Sequence, residues 1–414
     1  MASDELYSLA LEYKKTKLWK KLYDSELFSL QLSSGETAYC CVMGDLGEHI
    51  ALAVYVGGQG FQSLRPLLFQ PGDDANPMWA LGQACVQCAF ENKDELSEEE
   101  LAEARAYGER HGVAFRGRKS FPQFVKYSPN RLPWRLREPE DEAVLKEALT
   151  AALTLAEMLK AKSKRDLGLS MVEEDTTDLP LLTREGEGWV LSRTPVPPEV
   201  PPAYPTPNPP EADTLRQLKQ LKKGGIVECE ILRLMNPIQE TPDEAPYFPV
   251  LVLCVDSKSK QVLHTEPVLR YDTEPDSALR TFVDALVQWG KLPKAVKVRT
   301  EATRALLEGL CSAAGILLST GSQLPALDDA RESLFSFLSD EDDDEDFEDF
   351  DPEEISEEDI SSMMAQSAAL MMFLSDDNLR SLPPETVGQL MELVRLGVLP
   401  PEMSRRLRRI FPMQ

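Results

Sequence analysis

Basic and aromatic residues are interleaved in one segment of the first half of the chain. Residues 113–137 contain seven Lys or Arg, five aromatic residues and no Asp or Glu. Cations neutralise phosphates and aromatic rings stack on bases, so the segment predicts a site for single-stranded nucleic acid or another polyanion. A surface loop with an edge strand whose rings point inward is the structural alternative. The basic residues are Arg116, Arg118, Lys119, Lys126, Arg131, Arg135 and Arg137.

Two cysteines, Cys85 and Cys88, have the spacing of a zinc-binding pair. A structural zinc site needs four ligands, and few other thiols or histidines lie in the same half of the chain. We therefore expect both cysteines to pack as small apolar side chains in a buried helix. The chain has three histidines, and no Ser–His–Asp arrangement is recognisable. We therefore expect no nucleophilic catalysis, no bound metal and no cofactor from these residues.

A glycine-rich turn at residues 56–60 (VGGQG) follows a strand pattern and precedes a helix pattern. Such a turn can present backbone N–H groups to a phosphate. The segment lacks both Gly-Lys-Ser/Thr and a complete G-x-G-x-x-G motif. A tight turn is therefore the favoured interpretation.

The elements that position these residues begin with an α+β domain over residues 1–194. Residues 44–47 (GDLG) separate two strand patterns and indicate a hairpin, and Ser97 with Glu100 forms a capping box. Helices are predicted at 6–23, 78–91, 97–111 and 139–162, and strands at 27–32, 38–43 and 50–56.

Residues 212–338 predict an α/β domain with a mixed sheet. Three consecutive strands precede a helix-strand-helix-strand-helix series, an order in which helices pack on a sheet. The second and third strands form a hairpin across residues 257–260. Strands are predicted at 226–234, 249–256, 261–269, 295–299 and 316–320, and helices at 213–223, 276–289, 301–314 and 325–338.

The composition changes between and after these domains. Nine of residues 195–210 are proline, which predicts an extended, semi-rigid linker over 195–211; a ligand for a proline-binding module is the alternative. Residues 340–359 hold fifteen Asp or Glu and no Lys or Arg. We expect a disordered acidic segment over 339–359. Residues 360–414 predict a helical tail with a Met-rich helix and an arginine cluster.

Charge and cysteine usage indicate the compartment. The formal net charge is −26, and fifteen acidic residues of the acidic segment account for much of it. No run approaches the ~20 apolar residues of a membrane span, and the first residues carry charges unlike a signal peptide. Seven cysteines do not suggest a disulfide framework. We expect a cytoplasmic protein with reduced thiols and no membrane partner.

The second domain resembles the ribonuclease H-like fold, which includes retroviral-type integrases and transposases. Residues 248–257 (FPVLVLCVDS) resemble the central hairpin of integrase cores. Residues 290–301 (GKLPKAVKVRTE) resemble the approach to their second catalytic acid. The resemblance implies a β-β-β-α-β-α-β-α domain.

That resemblance also implies three carboxylates that bind two Mg²⁺ ions, which activate water and stabilise the leaving oxygen. By position, the first acid is Glu230, or Asp256 if the register starts one strand later. The second is Glu301. Two of these are Glu where the family has Asp, and the longer side chain displaces a bound metal. The third acid is Asp328, Asp329 or Glu332.

The whole chain also resembles a set of bacterial proteins with the same two domains, both of unknown function. The residues that carry this resemblance are 39–61, 133–134, 248–256 and 324–328. It implies the two-domain architecture and no particular reaction.

Two classes of function stay open at this point, and the sequence does not decide whether the protein is an enzyme. The first is a non-enzymatic binding or adaptor protein whose acidic segment regulates it, by docking on a basic surface such as residues 113–137 or by meeting a protein partner. The second is a metal-dependent nuclease or nucleic-acid-binding protein that uses the second domain. Only a nuclease would need Mg²⁺.

Overall fold

The fold comes from a computed structural model that describes residues 2–45, 47, 49–69, 81–186, 188–241, 243–264 and 267–340. Most of the acidic segment and all of the predicted C-terminal helices lie outside these residues. The described residues up to Leu334 belong to one compact unit. Within the described ranges, no helix combines the length and the apolar composition needed to cross a membrane.

Eight strands form one mixed sheet in the first domain. They are β1 (Phe28–Gln31), β2 (Thr37–Met43), β3 (Ile50–Val56), β4 (Cys85–Glu91), β5 (Phe121–Tyr127), β6 (Trp134–Arg135), β7 (Asp178–Glu185) and β8 (Gly188–Pro195). Their order is β6-β5-β4-β3-β2-β1-β7-β8. Neighbours pair antiparallel, except that β1 and β7 are parallel.

Helices cover both faces of this sheet. They are α1 (Asp4–Thr16), α2 (Gly57–Phe69), α3 (Glu98–His111) and α4 (Pro139–Ala161). The helices α1, α3 and α4 pack on one face, whose core includes Tyr13, Phe28 and Phe90. The helix α2 packs on the other face, where Phe61 is fully buried. The predicted capping box of α3 is confirmed, because the side chains of Ser97 and Glu100 each accept from the other's backbone N–H.

The glycine-rich turn serves the packing of α2. Gly57 starts that helix with φ +67, a left-handed conformation that side chains rarely adopt. A Cβ on Gly60 would lie 2.9 Å from the carbonyl carbon of Tyr55, so only glycine lets α2 pack this closely on β3. Both glycines therefore have a structural role.

The prediction of a helix over residues 78–91 is wrong for its described part. Residues 85–91 are the strand β4, in which every residue is buried. Because both sheet faces are covered there, the apolar and polar residues do not alternate, and a buried strand then resembles a buried helix. The β7–β8 hairpin was not predicted either.

A second mixed sheet forms the centre of the second domain. Its strands are β10 (Ile226–Arg233), β11 (Val250–Asp256), β12 (Val262–His264), β13 (Pro267–Val268), β15 (Ala295–Val298) and β16 (Leu317–Thr320). The order is β12-β11-β10-β15-β16, and β13 also pairs with β11. The strand β10 is antiparallel to β11 and parallel to β15, which is parallel to β16. A separate parallel pair joins β9 (Lys222–Lys223) to β14 (Lys291–Leu292).

Four helices complete the second domain: α5 (Ala212–Gln220), α6 (Pro275–Trp289), α7 (Glu301–Ala314) and α8 (Pro325–Asp340). The first three share a core with one sheet face, which includes Val227, Val252 and Phe282. The helix α8 lies on the opposite face, where Leu324 and Leu327 are fully buried. Burial of each leucine contributes about 1.5–3 kcal/mol. The predicted α+β first domain and α/β mixed-sheet second domain are confirmed.

The two domains are joined by backbone pairing as well as by the linker. The Leu132 N–H donates to the Pro246 carbonyl at 2.8 Å, and the Phe248 N–H donates to the Asn130 carbonyl at 3.0 Å. Arg131 and Tyr247 form an isolated β-bridge between these bonds. Residues 130–132 of the first domain and 246–248 of the second therefore pair antiparallel across the domain boundary.

Candidate functional site

Two acidic residues of β10 point toward α8. Glu228 and Glu230 are two positions apart, so they share the sheet face that α8 covers. Glu228 is 1% exposed. Its carboxylate accepts from the Ala326 and Leu327 N–H groups, each at 3.0 Å, and from the Ser257 hydroxyl at 2.7 Å. A carboxylate at a helix N-terminus satisfies orphan N–H donors and the helix dipole, so Glu228 fixes the start of α8.

Glu230 lies between two arginines. Its Oε2 is 3.1 Å from Arg331 Nη1 and 3.8 Å from Arg299 Nη1. The Glu230 side chain is 5% exposed. Arg299 also forms an ion pair with Asp328. Opposite charges alternate along this cluster of Asp328, Arg299, Glu230 and Arg331, which we call the arginine–glutamate cluster.

The sheet register explains this meeting. Cys229 pairs with Val298 in the parallel β10–β15 ladder, so Glu230 and Arg299 are the next neighbours on the same face. Arg331 comes from α8, one turn after the residues that Glu228 holds. Open α/β sheets commonly bind ligands beyond the carboxyl ends of parallel strands, and the cluster occupies that position at the end of β15.

Burial dominates the electrostatics of Glu230. Desolvation raises the pKa of Glu230 above its usual range, and the charges of Arg331 and Arg299 partly offset the rise. The pKa of Arg299 is raised, chiefly by its hydrogen bond to Asp328. The Nε of Arg299 is buried without a hydrogen-bond partner among the described residues.

Among the other candidate carboxylates, Asp328 joins the cluster through Arg299, whereas Asp256, Glu301 and Asp329 lie apart from Glu230. Asp256 points to the opposite sheet face, since it pairs with Val227, and its oxygens accept from the Lys258 N–H and the Ser259 hydroxyl in the following turn. Asp329 forms an exposed ion pair with Lys260. The Glu301 side chain is 60% exposed in the first turn of α7, near Arg304. The four carboxylates Glu230, Asp256, Glu301 and Asp329 therefore do not converge.

The donor set at the cluster does not suit a divalent cation. Hard cations prefer several oxygen ligands, whereas Glu230 faces two guanidinium groups. Within the part of the chain that the structure describes, no group of three or more His, Cys, Asp or Glu could hold a metal ion. The arrangement is therefore an ion-pair cluster that ties α8 to β10 and β15.

Five of the seven basic residues in the predicted polyanion segment have acidic partners. Lys119 Nζ lies 2.8 Å from Glu95 Oε2, and Lys126 Nζ lies 2.6 Å from Asp141 Oδ2; both pairs are within the first domain. The remaining pairs are Arg131 with Glu244, Arg135 with Glu99 and Asp243, and Arg137 with Asp243. Three of these arginines therefore contact the acidic 240–244 loop of the second domain.

Arg116 and Arg118 differ from those five. Both are exposed, and neither has an ion-pair partner among the described residues. They flank Gly117 in the loop before β5. The assignment of residues 113–137 to polyanion binding stays a prediction, and it now depends mainly on these two side chains.

Cys85 and Cys88 lie on opposite faces of β4. Cys85 packs in the core beneath α2, and Cys88 packs in the core beneath α1 and α4. Burial raises the pKa of Cys85 to about 12 and that of Cys88 beyond its usual range. Side chains on opposite faces of a strand cannot share a metal, so the expectation of packed apolar thiols is met in a strand rather than in a helix.

Sequence reasoning missed Glu228, Arg299 and Arg331. The alternation of Glu228 and Glu230 with apolar residues was visible, and it marks one face of β10 as charged. Arg299 was also visible, because it stands two residues before Glu301, where an acid was sought. Arg331 of α8 could be identified as a partner of Glu230 only from the fold, because the two residues are 101 positions apart in the sequence.

Comparisons with known proteins match each domain separately. Residues 4–175 match a family described as Domain of unknown function (DUF7309), and residues 214–335 match one described as Domain of unknown function (DUF6930). Two domains of unknown function therefore cover most of the chain. No curated protein matches it.

A solved structure is similar to part of the chain. It is the cryo-EM structure of a simian T-cell lymphotropic virus intasome in complex with PP2A regulatory subunit B56 gamma, at 13% identity and a TM-score of 0.21. The match covers 40% of this chain and 52% of that one, so the chain spans about half of its length. A TM-score this low carries no argument about fold or function.

Proposed function

We propose that the protein is a non-catalytic binding or adaptor protein whose second domain has a ribonuclease H-like fold. The strand order β12-β11-β10-β15-β16 supports that fold, because three antiparallel strands are extended on one side by two parallel strands. The helix α6 precedes β15, α7 connects β15 to β16, and α8 covers the opposite face of the sheet. This order agrees with the one that the resemblance implies.

One observation carries the non-catalytic assignment, namely the burial of Glu230 between two arginines. Two-metal hydrolysis needs carboxylates around a pair of cations roughly 3.5–4 Å apart. Here a guanidinium follows β15, and a second guanidinium approaches from α8. Their positive charges repel Mg²⁺ and already neutralise the carboxylate of Glu230.

The acidic segment, residues 339–359, supplies the regulatory part of the proposal. Its fifteen carboxylates mimic a polyanion, so the segment competes with nucleic acid or with an acidic protein partner for basic groups. All seven cysteines are free and buried, which supports a cytoplasmic protein with reduced thiols.

A cleavage assay tests the catalytic half of the proposal. The full chain is incubated with single-stranded and double-stranded DNA and RNA in millimolar Mg²⁺ or Mn²⁺, beside the isosteric variant Glu230→Gln. We expect no cleavage above that of buffer with either protein. Metal-dependent cleavage that is lost in Glu230→Gln would establish the nuclease alternative instead.

A binding series tests the regulatory half. Deletion of residues 339–360 removes most of the competing charge, so we expect tighter binding of a single-stranded DNA oligonucleotide than by the full chain. The difference should shrink as salt rises, because the interaction is electrostatic. Equal affinity of both proteins across the salt series would contradict the regulatory role.

A further inference from the structure

Two cysteines face each other across the central antiparallel strands of the second domain. Cys229 of β10 is the register partner of Cys254 of β11, and their Sγ atoms lie 3.5 Å apart. Both residues are buried in the core that α5, α6 and α7 share with the sheet. Glu228 and Glu230, the neighbours of Cys229, point to the opposite face, toward α8. The two cysteines, which we call the thiol pair, therefore lie apart from the arginine–glutamate cluster.

The hydrogen bonds of the β10–β11 ladder show how closely the thiol pair is placed. Residues of an antiparallel ladder alternate between hydrogen-bonded pairs and non-hydrogen-bonded pairs. The Ser257 N–H donates to the Ile226 carbonyl at 2.9 Å, which marks that pair as hydrogen-bonded. Cys229 and Cys254 stand an odd number of positions from it along each strand. They therefore form a non-hydrogen-bonded pair, the kind in which side chains approach most closely.

This spacing suits a disulfide bond. The Cα atoms of a non-hydrogen-bonded pair are about 4.5 Å apart, and disulfides join Cα atoms about 4.4–6.8 Å apart. The two sulfurs have to approach by about 1.5 Å to reach a bond length of about 2 Å. Rotation about the χ1 angles of the two cysteines supplies this approach, so the strands can keep their register. The third thiol of this core, Cys311 of α7, forms no hydrogen bond with either cysteine among the described residues.

We propose that the thiol pair is an oxidation site at which hydrogen peroxide produces a disulfide between Cys229 and Cys254. One thiol loses its proton and attacks a peroxide oxygen. An S–O bond forms, the O–O bond breaks, and the departing hydroxide takes up the proton as water. The second thiol then attacks the resulting sulfenic acid, so that the S–S bond forms, the S–O bond breaks and a second water leaves. The two thiols lose two electrons, and the peroxide is reduced to two waters.

Burial makes the first step slow, and proximity makes the second step fast. The contact with Cys254 and burial raise the pKa of Cys229, so little of the reactive thiolate is present. The thiols are therefore free in the resting protein, as a reducing compartment requires. Once one sulfur is oxidised, its partner is already beside it. The disulfide then forms before further peroxide can convert the sulfenic acid to a sulfinic acid.

Two cysteines of the first domain provide a control within the same chain. Cys85 and Cys88 are separated by only two residues, whereas Cys229 and Cys254 are 25 positions apart. A shorter loop closes at a lower entropic cost, so an unfolded chain favours the disulfide between Cys85 and Cys88. In the folded chain these two side chains lie on opposite faces of β4, and their sulfurs cannot meet. The fold therefore reverses the preference that chain distance dictates.

Disulfide mapping of the full chain tests the proposal. The folded protein is treated with hydrogen peroxide, the remaining thiols are alkylated in denaturant, and the disulfide-linked peptides are quantified by mass spectrometry. In the folded chain we expect the disulfide of the thiol pair to exceed the one between Cys85 and Cys88 by at least about tenfold. The same treatment in urea should reverse this order. In Cys229→Ala, Cys254 should end as a thiol or a sulfinic acid.

Several results would overturn the proposal. Equal amounts of the two disulfides in the folded chain would show that the geometry of β10 and β11 does not direct the reaction. A thiol pair that stays reduced, or that ends as two sulfinic acids, would show that the neighbouring thiol does not intercept the sulfenic acid. A disulfide from Cys229 to Cys311, or one between two chains, would assign the reaction to other partners. None of these results involves nucleic acid or the acidic segment, so they leave the proposed function untouched.

Discussion

At the scale of single residues, Glu230 shows how burial and ion pairing oppose each other. Desolvation raises the pKa of its carboxyl, and Arg331 and Arg299 lower it, with burial the larger effect. A carboxyl whose folded pKa is raised stabilises the fold most below its unfolded pKa. That contribution is lost as the pH rises through the folded pKa.

Substitution of Arg331 tests this balance. Arg331→Met removes the guanidinium 3.1 Å from Glu230, so the pKa of Glu230 should rise further. We expect a loss in the free energy of unfolding of about 1–3 kcal/mol near about pH 8. Near about pH 5 the loss should be smaller, because Glu230 then takes up a proton and no longer needs a cation. Urea unfolding at both pH values measures this loss in the free energy of unfolding.

The matched control is Arg304→Met. Arg304 is 42% exposed and faces Glu301 and Glu308 on the surface of α7. Its substitution should therefore lower the free energy of unfolding by less than about 0.5 kcal/mol at either pH. A loss in Arg331→Met of the same size at both pH values would contradict the account of Glu230.

At the scale of elements, the sequence predicted the second domain better than the first. The helix Glu301–Ala314 has the predicted bounds, because Thr300 caps its start and Gly315 ends it. The prediction for the residues of β4 failed because both faces of this strand are buried. Burial on both faces removes the alternation of apolar and polar residues that marks a strand. The predicted third strand of the second domain, residues 261–269, contains the shorter strands β12 and β13.

The turn between β9 and β10 gives a prediction about packing. Gly225→Ala places a Cβ against Trp289 at a positive φ, so we expect a loss of about 1–3 kcal/mol in the free energy of unfolding. Gly224→Ala is the matched control, because a Cβ there meets nothing within 4 Å. Chemical denaturation of both variants compares them, and equal effects would refute the proposed packing.

At the scale of the whole molecule, the segment with the most evident chemistry in the sequence contributes to a domain contact. Arg131, Arg135 and Arg137 face Asp243 and Glu244 of the second domain. Composition suggested a polyanion site, and the partners could not be found from the sequence because they lie more than a hundred residues away.

The domain contact predicts cooperative unfolding. The guanidinium groups of Arg131 and Arg270 each lie 5.6 Å from the centroid of the Tyr247 ring. We expect one calorimetric transition in the natural chain and two in Tyr247→Ala, since the domains then unfold separately. Tyr204→Ala, in the exposed linker, should keep one transition. A single transition in Tyr247→Ala would show that this ring does not couple the domains.

Under the proposed non-catalytic function, the arginine–glutamate cluster binds no divalent cation. The most direct test is the melting temperature of the full chain titrated with Mn²⁺ and Mg²⁺, beside Glu230→Gln. Specific binding to the folded state raises the melting temperature in proportion to ligand occupancy. We predict no metal-dependent rise in the natural chain beyond that of the variant. A saturable rise that is lost in Glu230→Gln would contradict the account.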